Sequence, residues 1–212
     1  MNVAGSLLLI AGAYLLGAIP WGVVFGKLKG IDVRQHGSGG TGATNTLRLL
    51  GWKMALGVFL LDFAKGLVPV LLARALDAPG WATAMIAVAT VLGHCWSPFI
   101  GFTGGKGMAT GGGAAVGLAW CLVLLLVPMI AIVALTRYVS LASLIAAVVG
   151  PTLVIVLAAR GDFPWEWALG ITAIAAIIVY QHRTNISRLR SGTERKFGNR
   201  EAAPSPAVNE RV

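Results

Sequence analysis

The chain has 212 residues, of which 57% are apolar and 12% are charged. A soluble domain has about 45–50% apolar and about 25% charged residues, so this composition excludes an ordinary soluble protein, a disordered chain and a disulfide scaffold. Lys and Arg number 17 against 8 Asp and Glu, a net charge of +9. In so hydrophobic a chain, this excess indicates positive-inside membrane topology, and it also suits a site for anionic substrates.

Six apolar runs predict a single all-α membrane domain, because a transmembrane helix needs roughly 20 apolar residues. The runs lie at about 3–26, 54–73, 82–98, 108–135, 138–158 and 165–181. The first run is followed by Lys27 and Lys29 and has no basic region before it, which predicts a retained span with the N-terminus outside. We expect residues 1–198 to form the domain and 199–212 to be a short disordered cytoplasmic tail.

The run 108–135 decides the number of spans. Six crossings from an outside N-terminus would leave the basic C-terminal segment outside, against the Lys and Arg bias. As one helix the run would be about 42 Å long. Two short helices that enter and return, bent between about Ala119 and Leu122, give seven transmembrane helices and a cytoplasmic C-terminus. The alternative is one long tilted span with Arg137 outside.

Two glycine-rich stretches interrupt the apolar pattern on the predicted inner face. The first runs from Gly37 to Asn45 and is followed by Arg48. Its backbone N–H groups could form a phosphate-binding nest, although a flexible linker between spans is the alternative. The second, 104–107, contains Lys106 just before a helix. It lacks the spacing of a P-loop, so a nucleotide site is disfavoured, and close helix packing with a snorkelling Lys106 is its structural alternative.

The third polar stretch lies at the inner end of the last span. His182 and Asn185 share a helix face there at i, i+3, and His is suited to proton transfer near neutral pH. Positive-inside anchoring is the structural alternative for Arg183 and Arg188, and it is the default interpretation of Arg190, Arg195 and Lys196.

Four smaller features accompany these stretches. Ser140 and Ser143, beside Arg137, place two hydroxyls near an inner helix end, where helix–helix hydrogen bonding is the structural alternative. Asp62 and Lys65 predict a buried ion pair facing the bundle. His94 follows no metal-ligand spacing with the other histidines, so no metal site is predicted. The two cysteines are expected to be reduced.

These motifs, in this order and spacing, resemble the bacterial acyl-phosphate:glycerol-3-phosphate acyltransferases, the PlsY family, from about residue 14 to 198. The resemblance is carried by six segments, 17–22, 26–45, 61–66, 93–110, 137–143 and 182–189. The chain departs from the usual family pattern at Gly40 and Thr41, where Asn and often Pro stand, and at Thr103, where Lys stands.

The resemblance implies an enzyme of the bacterial inner membrane, with its site facing the cytoplasm. It would move an acyl group from acyl phosphate to the 1-hydroxyl of glycerol 3-phosphate, giving lysophosphatidic acid. It also implies seven helices, no cofactor or metal, no nucleic acid partner, and no need for acyl-CoA or acyl carrier protein. Membrane lipids would be its surroundings.

The residues and the resemblance together give a set of expected roles. We expect His182, Lys106 and Ser38 to be catalytic. Glycerol 3-phosphate would be bound by Arg48, Asn185, Lys106 and Ser143. Acyl phosphate would be bound by Ser38, Gly39, Gly42, Thr44, Asn45, Gly104 and Gly105. Supporting roles fall to His94, Arg137, Ser140, Arg183, Asp62 and Lys65. The attack would be direct, since no nucleophile–base pair argues for an acyl-enzyme.

Two other classes of protein remain open. A transporter of a phosphorylated small anion would also need basic residues and glycine-rich loops, but such proteins place the site near midplane between repeated halves, and no repeat is visible here. A membrane scaffold without chemistry leaves the three inward polar stretches unexplained.

Overall fold

The protein is described by a computed structural model over residues 1–198, so the predicted tail at 199–212 lies outside the described residues. These residues form helices and no strand apart from an isolated bridge between Ser97 and Thr103. The α-helices within this range are α1 Val3–Gly17, α2 Trp21–Lys27, α3 Ala43–Leu50, α4 Trp52–Ala75, α5 Gly80–Cys95, α6 Met108–Leu118, α7 Leu126–Thr136, α8 Val139–Ala159, α9 Trp165–Gln181 and α10 Arg183–Arg190.

The prediction of an all-helical membrane protein is confirmed by the lengths and the outer surface of these helices. Three stretches are long and apolar enough to cross a membrane, namely Val3–Lys27, Trp52–Ala75 and Val139–Ala159. The outward side chains are apolar, with Leu8 74% and Leu135 85% exposed. A surface of this kind is suited to lipid contact, since soluble proteins rarely expose large contiguous apolar patches.

A proline divides the first apolar run into α1 and α2. Pro20 has no N–H and restricts the conformation of the residue before it, so the chain leaves helical geometry between Ala18 and α2. Within the break, the Ile19 carbonyl oxygen accepts hydrogen bonds from Trp21 N–H at 3.2 Å and from Lys65 Nζ at 2.7 Å. A polar backbone group inside the bundle is thereby satisfied.

Glycines allow the central helices to approach closely. A Cβ at Gly66 of α4 would overlap the Thr110 carbonyl oxygen of α6, and one at Gly113 of α6 would overlap that of Phe63 on α4. Gly17 and Gly93 play the same part between α1 and α5. Small residues are the usual means of close packing between membrane helices, and here they bring α4 against α6 and α1 against α5.

The segment 108–135 breaks where the sequence predicts. Helix α6 ends at Leu118, Ala119 is extended, a 3-10 helix runs over Trp120–Leu125, and α7 follows. A single continuous helix through this segment is therefore excluded. Ala119 and Leu122 are buried in the turn, whereas Trp120 is 68% exposed. With only 11 residues each, α6 and α7 are about 17 Å long, too short to cross roughly 30 Å of hydrocarbon alone.

Both ends of this broken segment lie at the same end of the bundle. Lys106, just before α6, lines a cavity together with Ser140 and Glu194. After α7, the Arg137 carbonyl oxygen accepts from Phe197 N–H at 2.6 Å, and Ser140 Oγ donates to Glu194 Oε1 at 2.9 Å. The chain before α6 and the chain after α7 thus meet the same C-terminal segment, residues 191–198.

Candidate active site

A cavity of about 310 Å³ opens among α3, α4, α6, α7, α8, α9 and α10. Its walls change character along its length. On α8 they run from Val139 to Pro151, about 18 Å along the helix. The polar end is lined by Ser38, Gly40, Gly42, Thr44, Asn45, Arg48, Gly105, Lys106, Ser140, Ser143, His182, Asn185, Arg188, Glu194 and Arg195. The other end is apolar, with Phe59, Phe63, Met108, Leu122, Leu125, Leu126, Met129, Ile171 and Ile174.

Asn45 organises the first glycine-rich loop. Its Nδ2 donates to the carbonyl oxygens of Val33 and Gly40, each at 2.9 Å, and its Oδ1 accepts from Ser38 N–H at 2.9 Å. Asn45 is 3% exposed. The expectation that Asn45 donates directly to phosphate does not fit these contacts, because its polar atoms already hold the loop. Its place is to fix Ser38 at the cavity wall.

The same loop leads into α3, and the first turn of α3 lies at the cavity wall. Gly42 is the N-cap residue of α3, and Gly42 and Thr44 both line the cavity. The N–H groups of a first helical turn have no partners within the helix, and the helix dipole makes this end positive. Arg48 lies one turn further along α3 on the same wall. This combination suits an anionic group.

The second glycine-rich loop is folded onto the end of α5. Gly105 N–H donates to the His94 carbonyl oxygen at 3.2 Å, and a Cβ at Gly105 would overlap the His94 ring. Gly107 has φ +78°, a left-handed conformation that favours glycine, and it turns the chain into α6. The result is that Lys106 lies between these glycines at the cavity wall.

Lys106 is a half-buried cation that interacts with several other charged groups of the site. Burial lowers the pKa of Lys106 below its usual value. The Glu194 carboxylate opposes this shift, whereas the positive charges of Arg188, Arg48 and Arg195 add to it. A site with this surplus of positive charge is stabilised by a bound anion.

His182 lies where α9 ends and α10 begins, and its ring orientation is fixed. Nδ1 is 2.7 Å from the Ile178 carbonyl oxygen. Because a carbonyl only accepts, we assign the proton of the neutral ring to Nδ1, which leaves Nε2 as an acceptor. Burial lowers the pKa of His182, the Ile178 hydrogen bond raises it, and Lys106 lowers it further. The neutral, accepting form is therefore favoured near pH 7.

Three site residues were missed from the sequence, namely Glu194, Arg188 and Arg195. Glu194 Oε1 accepts from Asn185 Nδ2 at 2.7 Å and from Ser140 Oγ at 2.9 Å, so it ties the C-terminal segment to α8 and α10. The available signal was that Glu194 is the only acid between residues 181 and 198. Arg188 lines the cavity instead of acting only as an anchor.

Some expected site residues lie away from the cavity walls. Gly39 and Gly104 are not among the lining residues; Gly39 has φ +70°, and a Cβ at Gly104 would overlap the His94 carbonyl oxygen. Arg137 donates from Nε and an Nη to the Phe197 carbonyl oxygen at 3.1 and 2.9 Å. Arg183 lies over the Tyr180 ring at 4.6 Å. Lys65 is also outside the walls, and its role is structural.

The predicted buried ion pair is present beneath the polar end. Lys65 Nζ lies 2.8 Å from Asp62 Oδ1, with both side chains almost fully buried. Asp62 and His94 line the cavity, and His94 Nδ1 lies 3.6 Å from the same carboxylate oxygen. Lys65 also bonds to Ile19 in the α1–α2 break, and the loop that carries Lys106 packs on His94. The cluster therefore connects that break to the Lys106 loop. Ser143, by contrast, donates to the Val139 carbonyl oxygen of its own helix at 2.9 Å.

The chain is similar to known proteins over most of its length. The family model described as glycerol-3-phosphate acyltransferase matches residues 7–192. A glycerol-3-phosphate acyltransferase of Synechococcus sp. (strain CC9902) is 44% identical over 202 residues, which cover 92% of this chain and 96% of that protein.

Two solved structures are similar as well. The crystal structure of PlsY (YgiH), an integral membrane glycerol 3-phosphate acyltransferase, in its glycerol 3-phosphate form has a TM-score of 0.86 at 40% identity. The alignment covers 92% of this chain and 96% of that one. Its lysophosphatidic acid form gives a TM-score of 0.84 at 39% identity, with the same coverage.

Proposed function

The chain belongs to the glycerol-3-phosphate acyltransferase family, and on this premise we propose that it transfers a fatty acyl group from acyl phosphate to the 1-hydroxyl of sn-glycerol 3-phosphate. The products are lysophosphatidic acid and inorganic phosphate. The observation that carries the proposal is the two-ended cavity. Its polar end is cationic, and its other end, along α7, α8 and α9, is apolar. One end suits a water-soluble dianion, and the other suits an acyl chain.

Phosphate binding falls to the positive groups at the polar end. Lys106 and Arg48, together with the start of α3 and Ser38, line one side of the cavity. An arginine can hold a phosphate through two N–H groups, and the helix start offers backbone donors. We assign Gly42, Thr44, Gly105 and Ser38 to acyl phosphate, Arg48 to glycerol 3-phosphate, and Lys106 to both.

The reaction is a direct displacement at the acyl carbon. The 1-hydroxyl oxygen forms a bond to that carbon, and the bond from the carbon to the phosphate oxygen breaks. The hydroxyl proton passes to Nε2 of His182 or to the substrate's own phosphate. Lys106 offsets the charge on the developing oxyanion and on the leaving phosphate. Because phosphate leaves readily, neither a cofactor nor an acyl-enzyme is required.

A transporter remains the competing function, because it needs similar residues. The polar lining of this cavity lies at one end of the bundle, while its deeper walls are apolar. A permeation path for a phosphorylated anion would need polar groups along its length, with the site near midplane. The two-ended lining therefore favours an enzyme that meets its acceptor in water and its donor in lipid.

The orientation that we propose is seven spans with the N-terminus outside, in the bacterial inner membrane. The spans are α1 with α2, α4, α5, α8 and α9, together with the short helices α6 and α7, which we count as two spans because the chain enters through one and returns through the other. The polar end of the cavity then faces the cytoplasm, together with Lys27, Lys53 and the basic segment after α9. Short helices such as α6 and α7 are tolerated where other helices cover their turn.

Cysteine labelling tests this orientation. In a chain without Cys95 and Cys121, Arg137→Cys and Thr184→Cys should both resist an impermeant thiol reagent added to intact cells, because both positions face the cytoplasm. Asp162→Cys, in the exposed connection between α8 and α9, is the matched positive control. Labelling at position 137 or 184 in intact cells would contradict the orientation.

The proposed reaction is tested with purified protein in lipid nanodiscs. Labelled glycerol 3-phosphate is supplied with palmitoyl phosphate, palmitoyl-CoA or palmitoyl-acyl carrier protein. We expect lysophosphatidic acid from palmitoyl phosphate alone. Product from either thioester but not from palmitoyl phosphate would contradict the proposal that acyl phosphate is the acyl donor. Absence of product from every donor, with labelled glycerol 3-phosphate taken up by sealed vesicles that contain the same purified protein, would favour the transporter.

A further inference from the structure

Glu194 determines which atom of Asn185 a ligand can meet. One N–H of Asn185 Nδ2 donates to Glu194 Oε1 at 2.7 Å, so one of the two amide hydrogens is already used. Asn185 is 4% exposed, and it cannot exchange this bond for one to water without moving. The amide oxygen, Oδ1, receives no hydrogen bond within the described part of the chain. An amide oxygen accepts hydrogen bonds and does not bind a phosphate oxygen, which also accepts.

Two oxygens in this pair lack a donor. Among the described residues, neither Asn185 Oδ1 nor Glu194 Oε2 has a hydrogen-bond partner, and both atoms are buried. Buried polar atoms are nearly always paired, and an unpaired one costs free energy. Both residues line the cavity, so a ligand there can supply the missing donors through small rotations of the two side-chain ends.

The surrounding charges decide which part of a ligand these oxygens meet. The phosphate of glycerol 3-phosphate is drawn to Lys106, Arg48 and Arg188, and the Glu194 carboxylate excludes it from its own vicinity. The hydroxyl groups are the donors of this substrate. His182, three residues before Asn185 and on the same helix face, is assigned to the attacking 1-hydroxyl, which leaves the 2-hydroxyl for the neighbouring pair.

We propose that Asn185 and Glu194 form a hydroxyl-reading subsite that accepts a hydrogen bond from the 2-hydroxyl of glycerol 3-phosphate. The inference rests on the proposed function and makes the pair a determinant of acceptor specificity. A site with buried acceptors discriminates against an analogue without the matching hydroxyl, because its polar atoms stay unpaired in that complex.

The test compares two acceptors that differ by one hydroxyl, glycerol 3-phosphate and 3-hydroxypropyl phosphate. The latter keeps the primary hydroxyl and the phosphate and lacks only the 2-hydroxyl. The purified protein receives palmitoyl phosphate and each acceptor, and the readout is the ratio of the two kcat/KM values. We expect the wild-type chain to prefer glycerol 3-phosphate by ~10²-fold.

Two variants should reduce this preference. Asn185→Ala removes the amide oxygen. Glu194→Gln keeps an acceptor for Asn185 and Ser140 but replaces the second carboxylate oxygen with an N–H₂ donor. Both should bring the ratio towards 1 by slowing transfer to glycerol 3-phosphate more than to its analogue. Thr184→Ala, at the exposed neighbouring position, should keep the wild-type ratio.

The outcomes separate the subsite from the reaction itself. Equal transfer to both acceptors by the wild-type protein would overturn the subsite while leaving the acyltransferase intact. A variant that slows both acceptors by the same factor would assign the pair a structural role and would also overturn it. Absence of transfer to glycerol 3-phosphate by the wild-type protein would refute the proposed function first. If Asn185→Ala does not fold, the ratio of the two kcat/KM values in the wild-type protein and in Glu194→Gln still tests the subsite.

Discussion

Lys106→Ala should lower the rate of acyl transfer by ~10²–10³-fold, the loss typical of removing one group that stabilises charge in a transition state. The physical reason is the position of the ammonium group at the cavity wall, held between glycines with Arg48 and Arg188 nearby. Charge on the leaving phosphate and the oxyanion would develop beside a neutral methyl group. Steady-state rates with both substrates saturating measure the effect.

The control for this variant is Lys53→Ala. Lys53 is an exposed lysine whose Nζ lies 5.9 Å from the centre of its neighbour's ring, that of Trp52, and it does not line the cavity. We expect Lys53→Ala to retain activity. Near-normal transfer by Lys106→Ala would remove Lys106 from the mechanism.

The role of Lys106 should also be visible in the pH dependence of the wild-type activity. The pKa of Lys106 is lowered from 10.5, chiefly by burial, so its charge is lost as pH rises through a value below 10.5. Activity should fall on the alkaline side in that range. The alkaline limb should disappear from the residual activity of Lys106→Ala.

His182→Ala should lower the rate by ~10²–10⁴-fold if its Nε2 takes the hydroxyl proton. The hydrogen bond from Nδ1 to the Ile178 carbonyl oxygen fixes the ring orientation. The variant removes the ring and with it the proton acceptor Nε2. His36→Ala is the matched control, since His36 bonds to the Asp32 carbonyl oxygen and lies outside the cavity walls.

The acid limb of the pH profile separates a base from a residue that only positions the substrate. Burial is the main cause that lowers the pKa of His182 from 6.5. The base is lost as pH falls through this lowered pKa, so activity should be level near pH 7 and decline only below about 6.5. A slow His182→Ala variant that keeps the wild-type acid limb would make the substrate phosphate the base.

The general architecture was predictable because hydrophobic length and charge act on the whole chain. Apolar runs fix the spans, and the position of Arg137 relative to the basic tail required a break in 108–135. Helix α6 ends at Leu118 as this argument predicts. The meeting of three polar stretches at one cavity was predictable from the same argument, because all of them were placed on one face.

The finer contacts were not predictable, because they depend on which partners the fold supplies. Asn45 looked like a phosphate donor, and its contacts with Val33, Gly40 and Ser38 appear only once the loop closes. Glu194 was not predicted as a site residue because it lies in a basic segment that was interpreted only through its positive charges. The division of the first run by Pro20 had a visible signal, yet the length of an apolar run does not reveal a missing N–H within it.

The central claim is that both substrates meet in this cavity and that the acyl group passes between them without a covalent enzyme intermediate. The most direct test mixes the purified protein with stoichiometric acyl phosphate, first alone and then with glycerol 3-phosphate, and follows released phosphate and intact protein mass. We predict no phosphate burst and no mass increase until glycerol 3-phosphate is added, followed by equal amounts of phosphate and lysophosphatidic acid. A burst of phosphate with an acylated protein before that addition would contradict the account.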